Sequence, residues 1–446
     1  MNTNIRNITI IGIALLVRIL MLSQYGPVVA NDTPGYEYMA TMLRTGDYSD
    51  YDGWRTPGYP LFLNVAGNNA HHVMLVQGVL GIATVIMLYL LVYKTTGIFL
   101  VAACYGLFVG TAFNIVFIDS YLLTESFATF LFTAITAIVV ADSWAQRRFG
   151  WICPLGAGLF TAYLAITRPQ YIALIPVMAL WIIFHTSESR GQRTGPRFFA
   201  YALSAGMPVL FLLIFNYLLL GKPLLSTTIG HNITQHTLPF IESASKADSL
   251  GVIPEMIELR DAYWQMTQEL GDNRAFIPRP HIEGTKRDVS DYYMKLSIEA
   301  IKNHPVKYLL SVLQAWMRFW RVSLLYDATY VRSCMLDRVV GYVWVTQKMV
   351  WFAMNALFLI SAVLMVHSLV RHGTIGWYEI VIVMILAVSV LQALVEYGDN
   401  SRYAIPVQPT VGFIAVYSIC VVDRKRTTIA STFQWFRWRI KGEVLE

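Results

Sequence analysis

Long apolar stretches alternate with short polar ones along almost the whole chain. Apolar runs of about 20 residues match the hydrocarbon thickness of a bilayer when helical. Their continuous apolarity, in place of alternation, argues against a β-barrel. The pattern predicts spans near 8–22, 73–93, 97–117, 121–141, 151–167, 171–184, 199–220, 339–366, 377–394 and 403–422. The expected fold is therefore an all-α polytopic membrane protein of about 10 spans. Two polar interruptions stand out, 23–72 and 221–304. The stretch 305–326 is harder to place, because it is moderately apolar yet carries Lys307, Arg318 and Arg321. As a full span it would put Arg424-Lys425-Arg426 outside and Arg402 inside. As an interfacial or re-entrant helix it leaves the basic termini cytoplasmic, and that reading is preferred. Four parts follow: a membrane core 1–220 containing the loop 23–72, an external region 221–338, C-terminal spans 339–425, and a cytoplasmic amphipathic tail 426–446. Within that tail Trp435, Phe436 and Trp438 mix with Arg437, Arg439 and Lys441, as in a helix lying on a membrane surface. No internal repeat or low-complexity stretch is visible.

Composition agrees. Of 446 residues 56% are apolar and 14% charged, against about 25% charged in soluble domains. The net charge of +6 reads as cytoplasmic Lys and Arg and not as nucleic-acid binding. Arg6 before the first span favours a cytoplasmic N-terminus, which makes both polar interruptions external. Val28-Val29-Ala30 resembles a signal-peptide cleavage site, but Arg18 interrupts the apolar run and Pro27 adjoins the site, so an uncleaved helix is expected. Cys104, Cys153 and Cys420 fall in spans and Cys334 in a loop, which is neither a disulfide framework nor a zinc spacing.

On this topology Asp32, Arg55, Asp119, Arg168, Glu396, Asp399 and Arg402 all lie at external span ends, with Glu125 one turn inside. Ionisable groups at membrane depth are expensive and usually mark a site. Mixed signs and flanking Pro or Gly suggest one shared pocket, the alternative being unrelated loop charges. Arginine forks bind phosphate, and a carboxylate beside them can act as general base toward a hydroxyl. Tyr36, Tyr38, Tyr48, Tyr51, Trp54 and Tyr59 offer faces on which a sugar can lie, though interfacial aromatic belts look alike. Each charge also has an ordinary structural use. Asp32 and Asp119 suit helix caps, Glu125 a cap or an inter-helix bond, Arg168 an interface anchor, and Arg18 and Arg402 snorkelling. His71-His72 and the His231/His236 pair lack metal-ligand spacing. Asn31-Asp32-Thr33 and Asn232-Ile233-Thr234 match glycosylation signals. A glycan on Asn31 would block Asp32, which points to a bacterial host.

Asn31-Asp32-Thr33-x-x-Tyr36, followed by Arg55-Thr56-Pro57-Gly58-Tyr59-Pro60, resembles the first external loop of GT-C glycosyltransferases. It is similar to bacterial members of the dolichyl-phosphate-mannose-protein mannosyltransferase family, the aminoarabinose-transferase type included. Leu123-Thr124-Glu125, Arg168-Pro169, His304-Pro305 and Gly398-Asp399-Asn400-x-Arg402-Tyr403-x-x-Pro406 look like the same family, so the likeness covers about residues 5–425. It implies a GT-C membrane core in the cell inner (plasma) membrane with its site on the external side. The implied donor is a sugar on a polyprenyl phosphate, and the acceptor a hydroxyl of a lipid, glycan or protein. Asp32 would be the catalytic base of an inverting transfer. Arg168 and Arg402, then Arg55, would hold the leaving phosphate, with Tyr36, Tyr59, Glu125, Asp399 and Tyr403 in support. No cofactor is required, and a divalent metal is left open. Many mannosyltransferases of the family carry two adjacent acids at the base position. Here Asn31 precedes Asp32, which leaves sugar and acceptor open. A flippase for a lipid-linked sugar and an O-antigen-type polymerase or ligase are the alternatives.

Overall fold

The computed structural model describes residues 3–144, 150–188, 194–266, 277–332, 334–372, 375–398 and 400–421. The predicted tail helix, Arg147, Arg148, Arg190, Arg193 and Asp399 lie outside the described residues. In chain order the helices are α1 (Thr3–Gln24), α2 (Thr33–Thr45), α3 (Gly58–Val65), α4 (Ala70–Thr96), α5 (Phe99–Thr111), α6 (Phe113–Val116) and α7 (Thr124–Trp144). Then come α8 (Ile152–Thr167), α9 (Leu174–Glu188), α10 (Thr194–Leu220), α11 (Ile229–Thr237), α12 (Ile253–Met266), α13 (Lys286–Asn303) and α14 (Pro305–Phe319). The chain closes with α15 (Cys334–His372), α16 (Trp377–Val395), α17 (Asn400–Tyr403) and α18 (Gln408–Val421). Every predicted span has its helix. Among the described residues five helices are long and apolar enough to cross a membrane alone, and a bent pair makes a sixth. The protein is an all-α polytopic membrane protein.

The bent pair corrects the straight span expected over 97–117. α5 and the segment Phe113–Asp119 meet at 61°, because Ala112 is extended and interrupts the helical ladder. The freed backbone groups are satisfied by one side chain: Gln347 of α15 accepts from the Phe113 N–H at 2.8 Å and donates to the Thr111 carbonyl at 3.1 Å. Unsatisfied amides at membrane depth cost several kcal/mol each, so such a break survives only where protein supplies the partners.

α8 packs between α7 and α10, α4 between α5 and α7, and α16 against α7, α9 and α14. α10 and α15 keep large apolar side chains on their outer faces, among them Phe211, Leu218, Phe352 and Val363. α14 has 15 residues, about 22 Å of helix, and exposes Val306, Leu309, Leu310, Leu313 and Met317 while burying Ser311, Ala315 and Phe319. Residues 221–266 and 277–304 form a small helical unit. Leu238, Phe240, Ile241, Met256, Tyr293 and Leu296 form its own core, and a Thr285–Asp288 capping box starts α13.

Candidate functional site

The first polar loop is fixed at its start by backbone pairing and at its far end by a side-chain hydroxyl. Val28 donates to the Ser120 carbonyl at 2.8 Å and accepts from Leu122 at 3.0 Å. Thr33 Oγ1 donates to the Leu122 carbonyl at 3.0 Å. These bonds hold Asp32 beside the start of α7, where Glu125 lies in the first turn. At the far end of the loop, Thr56 Oγ1 donates to the Thr167 carbonyl at 3.1 Å, which sets Arg55 beside Arg168. Gly58 permits this approach: a Cβ there would stand 2.6 Å from the Thr167 nitrogen and 2.7 Å from the Ile166 oxygen. Arg168 is the extended residue that follows the last turn of α8, and Pro169 prevents the helix from continuing. Arg402 sits on α17, which is tied back by Asn400 donating to the Glu396 and Tyr397 carbonyls at 2.8 and 3.1 Å.

Five charged side chains from these elements meet. Arg55 Nη2 donates to Asp32 Oδ1 at 2.7 Å and Arg402 Nη2 to Asp32 Oδ2 at 3.0 Å. Arg402 Nε donates to Glu125 Oε1 at 2.5 Å, and Arg168 Nη2 to the same oxygen at 2.7 Å. Arg168 Nε also donates to Thr124 Oγ1 at 2.6 Å. The Arg168 guanidinium lies 4.8 Å over the Tyr403 ring, and Arg55 lies 4.7 Å over Tyr36. Asp32 occupies the N-cap position of α2 but makes no side-chain cap bond. Its carboxylate is turned toward the arginines, so capping does not account for it. Asp32 is 30% exposed, Glu125 1%. One carboxylate is thus accessible and the other sealed as an internal counter-ion. Burial pushes the Asp32 carboxyl up, but Arg402 and Arg55 outweigh burial and hold it below the usual carboxylate range. Arg168 Nη1, Arg55 Nε and Glu125 Oε2 are buried without a hydrogen-bond partner among the described residues.

Other expectations are corrected. Asp119 does not join the cluster and is not a cap. It forms a buried pair with Arg18, whose Nε donates to Asp119 Oδ2 at 2.8 Å, while Ser126 donates to Oδ1 at 2.6 Å. Arg18 therefore neither snorkels nor reaches the cluster. Gly81 makes room for this pair, since a Cβ there would stand 2.2 Å from Arg18 Nη2. Tyr59 is no sugar platform; it is fully buried and donates to Gln77 Oε1 at 2.8 Å. Tyr48 and Tyr51 pack against Phe215 of α10. Glu396 is buried and accepts from Gln392 at 3.1 Å. At the opposite end of α7, Arg197 is buried and pairs with Asp142 at 2.5 Å. Thr124 was visible only as the neighbour of Glu125. Among the described residues no group of three or more His, Cys, Asp or Glu side chains is placed to hold a metal ion.

Fold and cluster together define a polytopic membrane protein with a charged, partly exposed side-chain cluster at one end of its helix bundle. No family model matches the sequence, and no curated protein matches it. Two solved structures are similar in shape. One is ArnT from Cupriavidus metallidurans bound to undecaprenyl phosphate, at 12% identity, 94% of this chain and 78% of that chain covered, and TM-score 0.38. The other is ArnT from the same organism in the apo state, at 12% identity, 92% and 76% covered, and TM-score 0.35. The likeness is loose, and what the cluster can do follows from its own residues.

Proposed function

We propose that the protein is a GT-C-type glycosyltransferase. It moves a sugar from a polyprenyl-phosphate donor to an acceptor hydroxyl at the external face of the plasma (inner) membrane. One observation carries this reading: among the described residues Arg55, Arg168 and Arg402 form ion pairs with two carboxylates, Asp32 and Glu125. That surplus of one positive charge among the described residues, in a cluster whose outer carboxylate is partly exposed, matches the single negative charge of a sugar phosphodiester. Arginine forks suit that group.

Asp32 is a weak base while both its oxygens accept from guanidiniums. A donor phosphate engaging Arg402 and Arg168 competes for Arg402 and releases Asp32 Oδ2. Asp32 then takes the proton of the acceptor hydroxyl. The acceptor oxygen bonds to the anomeric carbon as the carbon–oxygen bond to phosphate breaks on the opposite face, so configuration inverts. Polyprenyl phosphate departs with one more negative charge, met by arginines already in place. Glu125 keeps Arg168 and Arg402 aligned throughout. The cluster sits at helix ends and not mid-span, which favours transfer over a flippase for a lipid-linked sugar.

The test uses the full chain in lipid nanodiscs. Undecaprenyl phosphate should raise its thermal midpoint, and Arg402→Gln should weaken that response. Mass spectrometry of membrane glycolipids and surface polysaccharide, with and without the protein, should reveal one missing sugar. No stabilisation together with an unchanged glycan profile would overturn the reading.

A further inference from the structure

Most buried or half-buried guanidiniums in the described chain face a carboxylate: Arg18, Arg168, Arg197, Arg260 and the half-buried Arg402 each have one within 4.0 Å. Arg279, also half-buried, does not. It is held in Ile277-Pro278-Arg279-Pro280, where two prolines stiffen the backbone. Its Nη2 donates to the His231 carbonyl at 2.7 Å, and its Nη1 stands 3.0 Å from His231 Nδ1. The Tyr293 ring lies 5.8 Å away. Arg279 Nε is buried without a hydrogen-bond partner among the described residues. Glu396 acts on it only through space. Beside it His231 packs on Trp54 with ring centroids 4.8 Å apart. Lys286 sits 5.5 Å over the Trp54 ring and pairs with Asp52 at 2.9 Å. A cation this enclosed is costly without an opposing charge. The place is also joined directly to the candidate catalytic loop. Ser226 donates to the Trp54 carbonyl at 3.1 Å, and the next residue, Arg55, holds Asp32.

We propose that Arg279, with Trp54, His231 and Lys286 around it, binds an anionic group of the acceptor. The acceptor would then be a phosphorylated or uronic-acid glycan or glycolipid, with its reacting hydroxyl delivered toward Asp32. The donor phosphate keeps its own place at Arg168 and Arg402. This rests on the glycosyl-transfer reading for the role of the anion, but binding itself can be measured without it. Phosphate monoesters and carboxylates both fit a guanidinium fork, and the probes separate them.

The experiment titrates inorganic phosphate, glucuronate and neutral glucose into nanodisc-embedded full chain, reading thermal midpoints. An Arg402→Gln background weakens the donor-phosphate contribution. In that background phosphate or glucuronate should still stabilise and glucose should not. Adding Arg279→Gln should weaken the anion response by about tenfold, as for loss of a charged hydrogen bond, and Arg279→Lys should restore part of it. Arg279→Gln alone should leave stabilisation by undecaprenyl phosphate unchanged. Anion responses identical with and without Arg279→Gln, or an equal response to glucose, would overturn the proposal. Absence of any response to undecaprenyl phosphate would instead sink the donor reading, while the phosphate and glucuronate arms would still decide this one.

Discussion

Two buried groups of charges lie at the start of α7 and its preceding turn, and they differ in one respect. Arg18 and Asp119 are matched one to one and sealed, at 1% and 0% exposure. Ser126 donates to Asp119 and Arg18 donates to the Ile115 carbonyl, which leaves Arg18 Nη1 buried without a partner among the described residues. Among the described residues the Asp32–Arg55–Arg402–Glu125–Arg168 group has three cations for two anions, and its outer carboxylate is 30% exposed. A closed pair inside a membrane core neutralises itself and specifies how helices pack. A surplus that opens outward leaves one charge for something else to neutralise. Depth and burial alone would have marked both as sites; stoichiometry and access tell them apart.

The sharpest way to break this contrast is to remove one carboxylate from each. Asp32→Asn should lower turnover by about 10²- to 10⁴-fold, the usual worth of a general base, with little change in thermal midpoint. Asp119→Asn should do the reverse. It leaves Arg18 charged and buried without its partner, which costs about 3–5 kcal/mol. Folded yield should collapse, while each folded molecule stays active. Turnover per folded molecule, measured in nanodiscs for both variants, checks the pair. If the two aspartates exchange these behaviours, the contrast is wrong.

A smaller effect sharpens it. Arg402 contacts both carboxylates, so Arg402→Gln removes the surplus. Donor affinity should fall by about 10- to 100-fold, in line with one or two charge-assisted hydrogen bonds, while acceptor affinity barely moves. Titrating each substrate separately decides this. An equal loss of both would mean that Arg402 shapes the cluster as a whole instead of holding the phosphate.

Much of this was legible in the chain. Hydropathy located every span, since apolar runs have few ways to be satisfied in a bilayer. Asp32 and Arg55 share one loop, and Pro169 and Pro57 announce the breaks that place Arg168 and α3. The break at Ala112 was not legible, because its cause lies in Gln347, far along the sequence. Asp119 looked like an external span-end charge because a hydropathy profile records position along the chain and not which helix stands opposite. Tyr59 shared its composition with a sugar platform, but its hydroxyl had a buried partner in Gln77, which itself donates to the Asp119 and Tyr121 carbonyls. For Arg279 a signal existed: an arginine between two prolines is a cation whose backbone has few conformations left.

The smallest predicted effect extends the contrast to the second cationic place. Burial, then Arg279 and Lys286, push His231 down from 6.5 to about 4. An unfolded chain takes up the proton near the ordinary value, and the native protein does so only near 4. Native stability therefore falls as pH drops from about 6.5 to about 4 and is level on either side. Allowing for the partial exposure of the ring, the loss is on the order of 2 kcal/mol. Thermal midpoints across this window should slope less in His231→Gln than in the parent protein. Arg279→Gln should give an intermediate slope, because it removes one of the two repelling cations and leaves burial and Lys286. Carboxylates also titrate here, but their share is common to all three proteins and cancels in the differences. Parallel curves would mean that His231 accepts its proton as readily as an exposed histidine. The positive charge of Arg279 would then already be offset, and that place would carry no surplus to compare with the cluster around Asp32.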